Sequence, residues 1–299
     1  MPHLRIGVIF WLLASMAIIT PLGSHADETV IIAVNEDILP DYLHFLNQRD
    51  PLTIHEYKGE GARRDVIELV LLMQAVRLGG YRHSITLQAE QNYLRTLRGI
   101  GEGRFITSAG LAWQTDIEIM DDAYFTSRLL IKDGEFVVGV YTTLKNQKAL
   151  QANNLAKLAE LNVVTSSQWN NDVRTLKALG LTHVTYSPNW INMARMIEAG
   201  RADITLAPFQ TGPDMGIKVG DVMLYPIKGI KVAFSGSRHW PVSRKHPEGK
   251  AFYEALERGL TELERKGTIQ KAYHDCGAFH PDVAQWTLLN APDRPPKHQ

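Results

Sequence analysis

The residues best suited to hold a small molecule fall in four short segments, each at the end of a β-branched run. They are Asn35 and Glu36, Ser108 to Trp113, Thr165-Ser166-Ser167-Gln168, and Pro208-Phe209-Gln210-Thr211. Hydroxyls and carboxamides at such places donate and accept hydrogen bonds without committing a charge. In open α/β sheets, ligands gather beyond the carboxyl ends of strands. That rule nominates Asn35, Glu36, Ser108, Trp113, Thr165, Ser166, Ser167, Gln168, Pro208 and Phe209 as ligand contacts. Thr165 to Gln168 also precedes a helical pattern, where backbone N–H groups and the positive helix end favour an anionic or polar group by about 0.3–1 kcal/mol. N-capping by Ser167 is the plainer use of the same residues, and the two are compatible. Trp113 is suited either to stacking on a ligand or to burial as an ordinary aromatic.

Patterns for other chemistry are missing. The sequence has no GxxxxGK[ST], no HExxH and no GxSxG. Gly99, Gly101 and Gly103 spell GxGxG, but at a helix end before a strand, the reverse of a dinucleotide loop, so they read as a stop signal. The eleven histidines are scattered, with His44 and His55 nearest to each other in the first loop, and they read as solvated or core residues. The single cysteine, Cys276, has no partner for a disulfide or a Cys-pair metal site and reads as a small buried hydrophobe. No metal and no cofactor is expected. Lysine plus arginine and aspartate plus glutamate are both 32, so no global field draws the chain to nucleic acid or an anionic membrane surface.

The elements that would position these segments alternate. Glu28–Asn35, His83–Glu90 and Phe105–Ala109 read as strands, separated by a long loop with a helix over Ala62–Leu78 and by a helix over Gln91–Arg98. After the polar stretch Thr143–Asn154 a second series begins, with strands at Leu161–Thr165, His183–Tyr186 and Ile204–Ala207. Its helices are Trp169–Leu179 and one that Ser187 caps, with Pro188 first in it. Gly103-Arg104-Phe105-Ile106-Thr107 and Gly200-Arg201-Ala202-Asp203-Ile204 echo each other at helix-to-strand junctions, as if one β/α unit were built twice. Phe136–Tyr141 and Gly229–Phe234 are β runs bracketing the second series, the economical places for two crossings between lobes. An amphipathic helix over Pro247–Arg265 and a short one through Tyr273 follow. Alternating elements imply an α/β fold of open, mostly parallel sheets, and 299 residues exceed what one hydrophobic core usually organises. The expected division is lobe 1 from 27–138 and 232–290, lobe 2 from 139–231, and a disordered proline-rich tail at 291–299.

Ahead of this lies Arg5, then an apolar run from Gly7 to Ile19, 13 residues long and too short for the roughly 20 that span a bilayer. Ser24-His25-Ala26 places small residues where a signal peptidase cuts, so residues 1–26 read as a signal peptide removed after Ala26. With no acylatable cysteine behind the run, the periplasm is the expected location.

Three stretches resemble the two-lobed periplasmic solute-binding proteins of type II, in the family 3 branch of polar amino-acid receptors. Met196-Ile197-Glu198-Ala199-Gly200-Arg201-Ala202-Asp203 is similar to that family's "L-x-x-G-R-x-D". Thr115-Asp116-Ile117-Glu118 with Ala123-Tyr124-Phe125 occupies the place of "T-x-E-R... F-S-x-P-Y". Pro247 to Tyr273, with Lys266-Gly267-Thr268-Ile269 between its two helices, looks like its C-terminal "P-x-L... L-x-x-G-T-I" helix pair. The resemblance implies a ligand between two hinged lobes, adds Thr115 to the contacts, and implies a monomer serving a membrane transporter permease or a sensor. It also exposes a departure. Where the family has the arginine that grips a carboxylate, this chain has Glu118, so Arg63, Arg64 or Arg128 would have to take that role. Arg63 and Arg64 open a helix, and the plainer reading of them is a solvated face.

The expected function is therefore a receptor for a small polar solute. The rival is an enzyme on the same scaffold, of cyclohexadienyl dehydratase type, with Glu118 or Glu36 as general acid. A ligand-binding relative with no transporter is the third reading.

Overall fold

A computed structural model describes residues 29–291. The expected leader and cut site, and all but the first residue of the expected tail, lie outside the described residues.

The first series runs β1 (Val30–Asn35), α1 (Ile38–Leu46), α2 (Arg64–Leu78), β2 (Ile85–Glu90), α3 (Tyr93–Gly101), β3 (Thr107–Ser108), β4 (Ala112–Trp113), α4 (Gln114–Ile117) and β5 (Tyr124–Thr126). The second runs β6 (Val137–Thr142), α5 (Gln147–Leu150), α6 (Leu155–Leu158), β7 (Val163–Thr165), α7 (Asn170–Ala178), β8 (Val184–Tyr186), α8 (Trp190–Glu198), β9 (Thr205–Pro208), β10 (Ile217–Val219) and β11 (Val222–Pro226). The chain then returns through β12 (Ile230–Ala233), β13 (Arg238–His239), β14 (Pro241–Ser243), α9 (Gly249–Arg265), α10 (Thr268–Asp275) and β15 (Thr287–Leu288).

Two expectations for local structure change. The long loop read after the first strand contains α1. Pro40 falls in its first turn, where its missing N–H breaks no helical bond, and Asn47 ends it in the left-handed conformation at φ 43°. The helix after Ser187-Pro188 starts later, because Asn189 caps it by accepting from the Asn192 N–H.

The first sheet has the order β2-β1-β3-β14-β5. β1 is parallel to β2 and to β3, with Val30 opposite Ile85 and Ile32 opposite Thr107, whereas β14 enters antiparallel to β3 and β5. The second half repeats this plan. β7 lies parallel to β8 and bridges in parallel to Ile204, β9 is antiparallel to β6, and β6 meets β11 on its other edge. In each unit a strand from outside the local β/α series is inserted antiparallel, so the helix-linked pairs are parallel and the inserted ones are not. The echoed junctions both turn on a left-handed glycine, Gly103 at φ 86° and Gly200 at φ 69°.

The chain crosses between the sheets at β6 and β12, which lie side by side with Val232 opposite Val138. The two-lobed α/β architecture with two crossing strands is thus present, but its sheets are mixed rather than mostly parallel, because the crossing and returning strands β6, β11, β12 and β14 all enter antiparallel pairs. β15 runs parallel along β12, and the Asn290 carboxamide both donates to and accepts from the Ala233 backbone, so the C-terminal segment lies against the hinge.

α2 is buried on nearly every side, with Val66, Ile67, Leu69, Val70, Leu71 and Leu72 all inaccessible. It carries almost no amphipathic signal because neighbours cover it on several sides, α9 most closely and then α1 and α10. The two helices meet through reciprocal glycines. A Cβ on Gly259 would come within 1.7 Å of the Ala75 carbonyl oxygen, and one on Gly79 within 1.7 Å of the Ala255 oxygen. A methyl at Gly259 must therefore push the helices apart. Gly259→Ala is expected to cost about 3 kcal/mol, read as a lowered urea midpoint; an unchanged midpoint would contradict this crossing.

Candidate ligand-binding cleft

A cleft of ≈ 660 Å³ lies between the two sheets and the hinge. Its floor begins with β13. This strand pairs antiparallel with β4 and sets Arg238 opposite Trp113, joining a residue of the return crossing to one 125 positions earlier. Arg238 is only 6% exposed, and its guanidinium lies 4.9 Å from the Trp113 ring and 5.0 Å from the Phe136 ring. Its Nη2 donates to the Leu111 carbonyl at 2.5 Å, while its Nε has no hydrogen-bond partner among the described residues. No carboxylate of the described residues pairs with it directly. Burial and then the neighbouring Arg64 lower its pKa, the mark of a cation held in dry, locally positive surroundings.

Arg64 is better satisfied. Its Nη1 donates to Glu68 Oε1 at 2.7 Å and its guanidinium lies 5.2 Å from the same Phe136 ring. Glu68 is fully buried, and its second oxygen accepts from the Leu111 N–H at 2.9 Å. One carboxylate therefore serves Arg64 and the Leu111 backbone, tying the first turn of α2 to the loop before β4.

The second lobe supplies the opposite wall. Asp172, in the first turn of α7, has its carboxyl pushed up to about 7 by burial, against the pull of backbone N–H, Arg238 and Arg64. Trp169, just before α7, and Trp190, opening α8, lie 6.4 Å apart, both half-buried and both lining the cleft. The lobes also touch directly. Asp116 accepts from the Tyr93 hydroxyl at 2.9 Å and from the Asn170 carboxamide at 3.1 Å, and Arg174 donates to the Thr115 hydroxyl at 2.8 Å.

The cleft brings together Asn35, Glu36, Ser108, Trp113, Ser166, Gln168, Pro208 and Arg63 from the sequence expectations. Trp113 combines its two readings, lining the cleft while packed edge-on against Phe136 and Phe234. Ser166 accepts from the Gln168 N–H, a local turn that stands where capping by Ser167 was expected; Ser167 is exposed and does not line the cleft. Thr165 is buried behind it, with a hydroxyl that has no hydrogen-bond partner. Phe209 is turned into the second core between Tyr141 and Trp286, because alternation along the strand sends it to the face opposite Pro208. Thr115 lies at the contact between lobes, not in the cleft.

Of the charged candidates, Glu118 is exposed and accepts from Gln114, so it does not face the cleft. Arg128 is held by Glu257 and Glu264 on α9, away from it. Arg63 lines the cleft but is committed to Asp37, Asp41 and Asp65 at 2.9–3.1 Å. The cation that the sequence reading lacks is Arg238. Its one signal was an arginine directly behind the hinge run, at the edge of an apolar strand, and the pairing with Trp113 was invisible along the chain.

No protein-family model and no curated protein matches the sequence. Solved structures do match in fold. An amino acid ABC transporter substrate-binding protein from Streptococcus pneumoniae, bound to L-arginine, is similar at TM-score 0.54 and 12% identity, over 82% of this chain and 91% of that one. The periplasmic VFT2 domain of Bordetella pertussis BvgS is similar at TM-score 0.53 and 11% identity, over 82% and 92%. The ancestral amino acid-binding protein AncCDT-1, a precursor of cyclohexadienyl dehydratase, is similar at TM-score 0.53 and 10% identity, over 83% and 95%. The chain has the two-lobed type II periplasmic binding protein fold. Among the described residues no helix is long and apolar enough to cross a membrane, and no cluster of metal-ligating side chains occurs.

The position of Asp172 makes a prediction. Its carboxyl loses a proton near the usual 3.8 when unfolded and near 7 when folded, so the fold holds the extra proton in between. Stability contributed here falls as pH rises through that window, and the cost is complete above it. Asp172→Asn is expected to raise the melting temperature at pH 8 and to leave it unchanged at pH 4; equal gains at both would contradict the assignment.

Proposed function

We propose that the chain is a solute receptor, exported to the periplasm after cleavage behind Ala26, that closes lobe 1 (27–138 and 232–290) and lobe 2 (139–231) around a small polar solute. It works as a monomer and presents the closed form to a membrane transporter or sensor. The observation that carries this reading is the cleft itself, in which an unpaired buried arginine from the hinge faces a wall from the other lobe. Contacts from both lobes exist only in the closed form, so a ligand's differential affinity becomes a conformational signal. The neighbours in fold support a receptor without choosing its partner, since one belongs to a transporter and another is a periplasmic domain of BvgS.

One observation favours the enzymatic alternative, in which Asp172 replaces Glu118 and Glu36 as the general acid, because a carboxyl near pKa 7 suits proton transfer. The two readings separate on Asp172→Asn. A receptor keeps compaction with its solute and has no turnover to lose, whereas an enzyme keeps affinity and loses turnover of arogenate or prephenate.

The receptor reading is tested by titrating the protein with fractionated metabolite pools while recording radius of gyration and melting temperature. At least one pool is expected to shrink the radius and raise the melting temperature together. Absence of both effects in every pool would overturn it.

A further inference from the structure

We infer that the solute is an aromatic carboxylate, with its acid group received by Arg238 at the floor and its ring lying against Trp169 and Trp190 of the second lobe. The inference rests on the receptor reading and narrows its ligand.

The acid end follows from charge bookkeeping within the cleft. Arg63 is spent on three aspartates and Arg64 on Glu68, and Asp116 is spent on Tyr93 and Asn170. Lys218 also lines the cleft without an ion pair, but it is exposed to water; among the buried cations of the cleft Arg238 alone keeps no counter-charge in contact, and the Nε groups of both Arg238 and Arg64 lack acceptors among the described residues. A buried guanidinium left in this state is costly unless an anion completes it, and a planar carboxylate matches its donor fork. Phe136, which Arg238 and Arg64 share, and Trp113, which packs on Arg238 alone, restrict the guanidinium planes and so direct the free donors.

The ring end follows from the opposite wall. Two tryptophans, each half-buried, line the cleft beside Pro188 and Ile191. Tryptophan faces left open in a cleft are large apolar surfaces awaiting a partner, and flat rings are the partners they stack with best. The volume suits an acid carrying a ring, since clefts of about 300–1,000 Å³ enclose ligands of that size. A bare anion would leave the tryptophan wall wet, and an extended cationic side chain would lie on indole faces with no uncommitted carboxylate besides Asp172 and the exposed Glu36.

The test uses calorimetric titration of the mature protein with indole-3-acetate, its neutral analogue indole-3-ethanol, acetate and L-arginine. Indole-3-acetate is expected to bind at least about 30-fold more tightly than either the neutral analogue or acetate, because each lacks one of the two ends. Trp190→Ala, at a half-exposed position that the fold tolerates, is expected to weaken indole-3-acetate about tenfold and to leave far-ultraviolet circular dichroism unchanged. Arg238→Lys, which keeps the charge and loses the fork, is expected to weaken it by a similar factor. If indole-3-acetate binds no better than indole-3-ethanol or L-arginine, or if Trp190→Ala binds it as wild type does, the inference fails. Should a non-aromatic solute from the metabolite pools compact the protein while indole-3-acetate does not bind, the ligand class is wrong and the receptor reading stands. If no pool and no probe binds, the receptor reading itself fails.

Discussion

Burying a guanidinium without a carboxylate in contact is the constraint around which this molecule is arranged. Arg238 tolerates it through a carbonyl, two aromatic faces and the more distant charge of Glu68. Each of these partners comes from a different element. Leu111 and Trp113 belong to the loop and strand after β3, Phe136 stands at the entrance to the first crossing, and Glu68 sits in the first turns of α2. The residue lies at the return crossing, so the site of greatest electrostatic demand coincides with the hinge. A charge change there acts on both lobes together.

The supporting structure is rigid where the site needs it. α2 is held against α9 by two glycines that let backbones touch, and its first turn carries Arg64 and Glu68 to the floor. Side chains fixed this way lose little freedom when a ligand arrives. The opposite wall is held differently. Trp169, Asp172 and Trp190 ride on the N-terminal ends of α7 and α8, whose hydrogen bonds to the first lobe among the described residues come from Asn170, Asn171 and Arg174. A fixed floor and a lightly tethered wall are the division expected of a jaw that opens at one side.

Much of the architecture was legible along the chain because it rests on local signals. Alternating runs and left-handed glycines at Gly103 and Gly200 placed the strands, the helices and the duplicated unit. The strand-end rule reached Asn35, Glu36, Ser108, Trp113, Ser166, Gln168 and Pro208 because it depends only on where strands stop. It failed for Phe209, since one step along a strand reverses the face, and for Thr165 and Ser167, one buried behind the cleft and the other exposed outside it; Thr115, which the resemblance added, lies where the lobes meet. Glu118 stands where the resembling family has an arginine, and it is exposed. Arg238 could not be found locally, because it acquires its surroundings only by pairing with Trp113 and by burial against α2. Asp172 was missed for the same reason: nothing in its neighbours along α7 announces a carboxyl removed from water.

The most direct measurement is the Nε–H resonance of Arg238 in spectra of arginine-labelled protein, assigned by its loss in Arg238→Lys, with and without indole-3-acetate. The account predicts that the ligand shifts this resonance downfield and slows its exchange with water, while the resonances of Arg128 and Arg174 stay where they were. An Arg238 resonance that does not move while the ligand is bound would contradict it.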